Sequence, residues 1–275
     1  MTENTIICIK WGDKYDWSYV YNLKDQCEKN CSVPFNFYCI TDDLLEIPDE
    51  SEEQFVFKFD NPNCKKDIHK LVKLSSQIEL PTYWDNFYDK DKNFFWAYRK
   101  CYMFRDDERD QDFTDIKGSK FLFLDLDVII HQDLKYFFDL PMDKPWIVRG
   151  WWNDPDAIKI NYAKYKSTPL NSSVIRWDRG QLNDIWNQIN ANSDVIFFTY
   201  PSLDNYLNHK WYNIWDEDKG FFRGFPKEDI YSWYKGNIFP DDMELKKIRK
   251  ESKVCLFNNS GETNDVEELK SLWNI

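Results

Sequence analysis

Between residues 5 and 130 the chain repeatedly switches between two hydrophobic periods. TIICIK (5–10), PFNFYCITDD (34–43) and KFLFLDLDVII (120–130) are short runs rich in β-branched and aromatic residues, the composition of buried strands. QFVFKF (54–59) reads as a further strand, whereas DWSYVYNLKDQCEKN (16–30), IHKLVKLSSQIEL (68–80) and FFWAYRKCYMFR (94–105) read as helices. Strands alternating with helices predict an α/β fold, a mostly parallel (mixed) sheet with helices on both faces. In the second half PWIVRGWW (145–152), SSVIRW (172–177), DVIFF (194–198) and VCLFN (254–258) read as strands, with helices over DRGQLNDIWNQI (178–189) and DVEELKSLW (265–273). No internal repeat or low-complexity linker divides the 275 residues, so 1–275 is read as one domain.

One of these strands poses a problem. KFLFLDLD carries Asp125 and Asp127 in the middle of an apolar run, where an isolated ionised carboxylate is very costly. Ligands of open α/β sheets bind outside the carboxyl ends of the strands. Residues i and i+2 of a strand share a face, so the two carboxylates can project together where the run meets a loop. Hard oxygen ligands side by side suit Mg²⁺ or Mn²⁺, with phosphate oxygens completing the shell. The alternative is a pair that ends the strand by capping the next turn.

The partners of such a site are narrowed by charge. With 36 Lys+Arg against 48 Asp+Glu the net charge is −12, which argues against nucleic acid or an anionic membrane surface as main partner. No apolar stretch approaches the ~20 residues of a membrane span, and MTENT does not open a signal peptide, so a cytoplasmic protein is expected. An odd count of seven cysteines, several inside apolar runs, favours buried thiols over a disulfide framework. Three histidines make a zinc site a poor expectation. The acidic segments 42–53 and 106–115 are read as solvated loops.

Apolar-apolar-Asp-x-Asp at a strand end resembles the DxD motif of GT-A-fold glycosyltransferases. Around it, IKWGDKYDWSYVYNL is similar to the first strand, loop and helix of nucleotide-diphospho-sugar transferases related to glycosyltransferase family 8. FNFYCITDD resembles that group's second strand, and FWAYRKCYMF its helix before DxD. NSSVIRW, IYSWYK and VCLFNNSGE resemble later segments of the group in the same order, from residue 5 to about 262. The resemblance implies a GT-A, Rossmann-like fold, with a nucleotide-sugar-binding half (1–130) and an acceptor-side half with a closing segment (131–275). It also implies an Mn²⁺- or Mg²⁺-dependent transfer of a hexosyl group from a nucleotide-sugar, UDP-linked, to a glycan or other hydroxyl acceptor.

Carried over by position, the resemblance gives Asp125 and Asp127 the metal and the donor's ribose and diphosphate. Trp11, Gly12 and Tyr15 border the nucleotide, with Asp42 near its base or ribose. Lys100, together with Arg99, faces the donor. Asn171 and Ser172 line the sugar pocket, and Lys235 covers charge on the departing diphosphate. Two positions depart from the group. Asn258 stands where a metal-binding His is usual, and YPSLDNYL offers Asp204 and Asn205 where the group has Asp-Gln, in a register ambiguous by one residue. Asp204 is the catalytic or acceptor-side candidate. The Asn258 substitution keeps open a second reading, a binding module of the same fold without activity. A HAD-type phosphatase also carries DxD, but on its first strand, and here some 120 residues precede it. Trp151 and Trp152 are read as either a sugar-stacking wall or core.

Overall fold

The computed structural model describes residues 3–10, 14–41, 70–73, 98, 100–101, 103–105, 116–162, 168–213, 216, 218–241 and 245–257. In chain order the elements are β1 (Asn4–Lys10), α1 (Trp17–Lys29), β2 (Phe35–Thr41), β3 (Lys70–Lys73), β4 (Lys120–Leu124), β5 (Ile129–Ile130), α2 (Lys135–Phe138) and β6 (Trp146–Arg149). They continue with α3 (Pro155–Tyr162), β7 (Leu170–Asp178), α4 (Asn183–Thr199), α5 (Leu203–Trp211), β8 (Arg223–Gly224), β9 (Ile230–Ser232) and β10 (Val254–Leu256).

Seven strands form the central sheet in the order β3-β2-β1-β4-β7-β6-β8. β3, β2, β1 and β4 are parallel neighbours, and β8 is parallel to β6. β7 pairs antiparallel with both β4 and β6, so it alone runs against the others. A smaller sheet, β5-β10-β9, hangs beside it. The sheet is mixed and mostly parallel, as the alternating pattern predicts.

Alternation along β1 and β2 splits the core in two. Ile6, Cys8, Phe37 and Cys39 pack on one face with Val20, Leu23 and Cys27 of α1. Ile7, Ile9, Tyr38 and Ile40 face the other way, toward Ile185 and Ile189 of α4 and Leu207 of α5. Asp16 starts α1 by accepting from Ser18 N at 2.8 Å, satisfying a donor the first turn leaves open. Arg176, in the middle of β7, is fully buried yet compensated. Its Nε donates to Phe137 O at 3.1 Å, Nη1 donates to Trp177 O, and Nη2 lies 2.8 Å from Asp178.

Three expected elements differ. Within IHKLVKLSSQIEL, Lys70–Lys73 is a strand, since KLVK can lie along β2 as a lysine-flanked neighbour. DVIFF belongs to α4, not to a strand. Its helix continues through a kink at Asn192 and buries Ile196 and Phe197 while leaving Val195 and Phe198 exposed, a helical distribution that a short apolar run does not reveal. In FFWAYRKCYMFR the described residues 98, 100–101 and 103–104 form tight 3₁₀ turns instead of an α-helix. QFVFKF and DVEELKSLW lie outside the described residues. No helix among the described residues is long and apolar enough to cross a membrane.

Candidate active site

The carboxyl edge of the central sheet gathers the charged groups. β4 stops at Leu124, one residue before the aspartate pair, and Asp125 N extends the ladder by donating to Ser173 O at 2.9 Å. Leu126 and Asp127 then form a turn, so the carboxylates are brought together by that turn and not by strand alternation.

Asp125 is gripped from the 3₁₀ segment. The ammonium of Lys100, a buried residue, lies 2.7 Å from one carboxylate oxygen and 2.8 Å from the other. The same ammonium reaches Ser172 O at 3.3 Å and Ser172 Oγ at 3.4 Å, at the start of β7. Ser172 N in turn donates to Asp204 Oδ1 at 3.1 Å. Asp204 sits in the first turn of α5, where the helix dipole favours a carboxylate. On the other side, the Tyr15 hydroxyl donates to Asp127 Oδ2 at 2.8 Å. Six predicted residues thus gather in two hydrogen-bonded groups, Tyr15–Asp127 and Asp125–Lys100–Ser172–Asp204, coupled to each other through charge.

Charge within this cluster is unbalanced. Burial, then the neighbouring Asp125 charge, holds the Asp127 carboxyl above its usual range, against the pull of Tyr15, Lys14 and Lys100. Burial also raises Asp204, opposed chiefly by Lys100. The Tyr15 hydroxyl is raised strongly by burial and by Asp127. Three carboxylates thus face two ammonium groups. Sequence reasoning missed Lys14, which lies 4.5 Å over the Tyr15 ring; its only signal was adjacency to Tyr15.

The other predicted residues fall into three groups. Asn171 is at the edge, but its Oδ1 accepts from Ser173 N at 3.0 Å in a local turn. Asn205 is spent on the cap of α5, where Ser202 Oγ lies 2.6 Å from its Oδ1; Asp204 therefore holds the position facing Ser172. Lys235 follows β9 in a half-buried turn closed by Gly236 at φ 75°, a left-handed backbone that favours glycine. Among the described residues no carboxylate or carbonyl holds its ammonium. Trp11, Gly12, Asp42, Arg99 and Asn258 lie outside the described residues. β10 leads toward the pair, since Cys255 is in register with Ile129, two residues past Asp127. Trp152 is core, whereas Trp151 is half-buried at the sheet edge.

An adjacent carboxylate pair, in a cluster holding one carboxylate more than its ammonium groups, fits a divalent metal. Asp127 keeps Oδ1 clear of the Tyr15 bond, and an ionised carboxylate offers about four lone-pair sites in all. A cation there would relieve the repulsion that raises Asp127.

The open, mixed and mostly parallel sheet is the GT-A class of fold. Solved glycosyltransferases share it. The structure is similar to LgtC, a galactosyltransferase solved in complex with donor and acceptor sugar analogues, at TM-score 0.56 and 10% identity over 98% of this chain and 95% of that one. An active-site mutant of LgtC gives TM-score 0.57 at 10% identity, covering 98% and 94%. Apo GlyE of Streptococcus pneumoniae TIGR4 matches at TM-score 0.54 and 13% identity, over 99% of this chain and 60% of that one. No family sequence profile and no curated protein matches the chain.

Proposed function

We propose that this protein is a metal-dependent glycosyltransferase that moves a hexosyl group from a nucleotide-sugar, UDP-linked, to a glycan or other hydroxyl acceptor. The carrying observation is the cluster of Tyr15–Asp127 and Asp125–Lys100–Ser172–Asp204 at the carboxyl edge of a GT-A sheet. Asp125 and Asp127 would hold Mn²⁺ or Mg²⁺, which when bound would neutralise charge on a diphosphate leaving group. Lys100 holds Asp125 in place and brings β7 to it. Ser172, with both its peptide carbonyl and hydroxyl within reach of Lys100 and its amide on Asp204, couples the metal side to the α5 side. Lys235, with no competing partner among the described residues, is available to a phosphate. The free thiols of Cys8, Cys27, Cys31, Cys39, Cys101 and Cys255 accord with a reducing, cytoplasmic setting.

A thermal-shift panel of nucleoside diphosphates, with and without Mn²⁺, tests this reading. UDP should raise the melting temperature in an Mn²⁺-dependent way, and donor hydrolysis should follow the same metal dependence. Absence of any nucleotide shift would reject it.

A further inference from the structure

A second feature of the carboxyl edge lies beyond the donor network. β6 is antiparallel to β7, and β7 to β4, so β6 and β4 end on the same edge. Neighbouring strands are about 4.8 Å apart, which places the end of β6 on the order of 10 Å from the end of β4, across β7. Directly after β6 comes Trp151. Its neighbour Trp152 enters the core, but Trp151 remains half-buried and is fixed from three sides. The Arg149 guanidinium stacks 3.8 Å from the centre of its ring. Its indole N–H donates to Phe225 O at 2.9 Å. Its carbonyl accepts from Phe239 N at 3.0 Å, which ties it to the 233–241 loop that also carries Lys235. Phe239 itself is 43% exposed, one of few large apolar side chains so placed among the described residues.

Gly150 allows this arrangement. A Cβ there would meet Asn153 Nδ2 at 2.6 Å, and Pro169 O and the Trp152 ring at 3.2 Å, so a side chain would crowd the turn that presents Trp151. An indole whose polar N–H is already satisfied, held in place and tied through its backbone carbonyl to a residue whose own ring is partly left in water, is an amphipathic platform formed before any ligand arrives. Pyranose rings present apolar C–H faces rimmed by hydroxyls, which is the chemistry such a platform accepts.

We propose that Trp151 and Phe239 form the acceptor subsite and that its occupant is a neutral hexopyranoside stacked on Trp151, two strand spacings from the strand that leads to the DxD carboxylates. This rests on the glycosyltransferase reading and names its acceptor class. The test is a panel of methyl hexopyranosides (gluco, galacto and manno, both anomers) with the corresponding disaccharides, titrated by calorimetry and saturation-transfer NMR into the 275-residue chain, with and without UDP and Mn²⁺. At least one glycoside should bind. Trp151→Ala should weaken it tenfold or more, and Trp151→Phe, which keeps a stacking face, by no more than about threefold. Should Trp151→Ala lose its cooperative unfolding transition, Phe239→Ser, a change at an exposed position, carries the test with an expected loss of at least threefold. A parent protein that binds none of the panel, or folded variants that bind as well as the parent, would overturn the subsite. Failure of UDP binding in the parent rejects the transferase reading separately, because glycoside titrations without nucleotide still report on Trp151.

Discussion

Two buried cations lie on or against β7, and they are balanced differently. Arg176 is enclosed in mid-strand, with two peptide carbonyls and Asp178 around one guanidinium. Lys100 stands at the edge, where one ammonium serves Asp125 and Ser172 and also draws on Asp127 and Asp204. The Arg176 guanidinium is shut off from water and spent on fixed partners, two peptide carbonyls and a partly exposed Asp178. The second arrangement leaves negative charge over, facing solvent. Closed charge holds a fold together, whereas unbalanced charge marks the place where something else is meant to bind.

The sharpest way to break this contrast is Arg176→Met. Met would leave two buried peptide carbonyls, Phe137 O and Trp177 O, without their donor, so a loss of roughly 2–5 kcal/mol is expected by denaturant unfolding, with no rescue by Mn²⁺. Lys100→Met should cost less, about 1–3 kcal/mol, because it strands one peptide carbonyl, Ser172 O, where Arg176→Met would strand two. Mn²⁺ should recover part of that loss by occupying the freed carboxylate; a cost equal to that at Arg176 and indifferent to Mn²⁺ would erase the distinction.

Lys235 is the reverse case, a cation without a carboxylate among the described residues. If it meets the departing diphosphate, Lys235→Ala should lower kcat of donor hydrolysis at least tenfold, about 1.4 kcal/mol of barrier, with a smaller change in KM. Normal turnover would return it to the ordinary surface.

The smallest effect concerns pH. Asp127 has a usual carboxyl value of 3.8 and is held above it in the folded chain. Below 3.8 both states are protonated; as pH rises the unfolded carboxyl ionises first, so stability falls until the raised folded value is passed. Asp127→Asn should make that decline shallower, and Asp204, also raised, should preserve the remainder. His131, which burial lowers to about 4 from 6.5, adds the opposite slope over that interval in both proteins and drops out of the difference. Urea midpoints from about pH 3.5 to 7, without metal, measure it. The same Asn variant should lose Mn²⁺-dependent UDP binding while remaining folded.

Much of the fold was legible because local pattern and tertiary role agreed. TIICIK, FNFYCIT and KFLFL are apolar for most of their length, as strands covered on both faces must be. DVIFF and KLVK misled for a shared reason: an apolar run this short fits either period, and only packing chooses between them. At the site, Asp125 and Asp127 stood out because charge in an apolar run needs an explanation. Lys14 and the Ser172–Asp204 link had no such signal, since contacts between elements far apart in sequence leave no spacing to read. The role of Lys100 was anticipated as a donor contact; the structure shows its ammonium on Asp125, a contact that sequence order alone could not supply.

The single reversed strand has a consequence for how such a chain can diversify. Because β7 begins on the edge where β6 ends, the segment between them runs over 150–169, with Trp151 at its start, Ser172 just beyond its end in β7, and Gly150 N bonded to Pro169 O at its base. A loop fastened there can lengthen or change sequence at a modest entropic cost, without disturbing the ladder below. One end of it adjoins the metal-side network and the other the aromatic shelf. A lineage could therefore exchange one acceptor for another by rewriting a single stretch of chain, leaving the strands that present the carboxylates untouched.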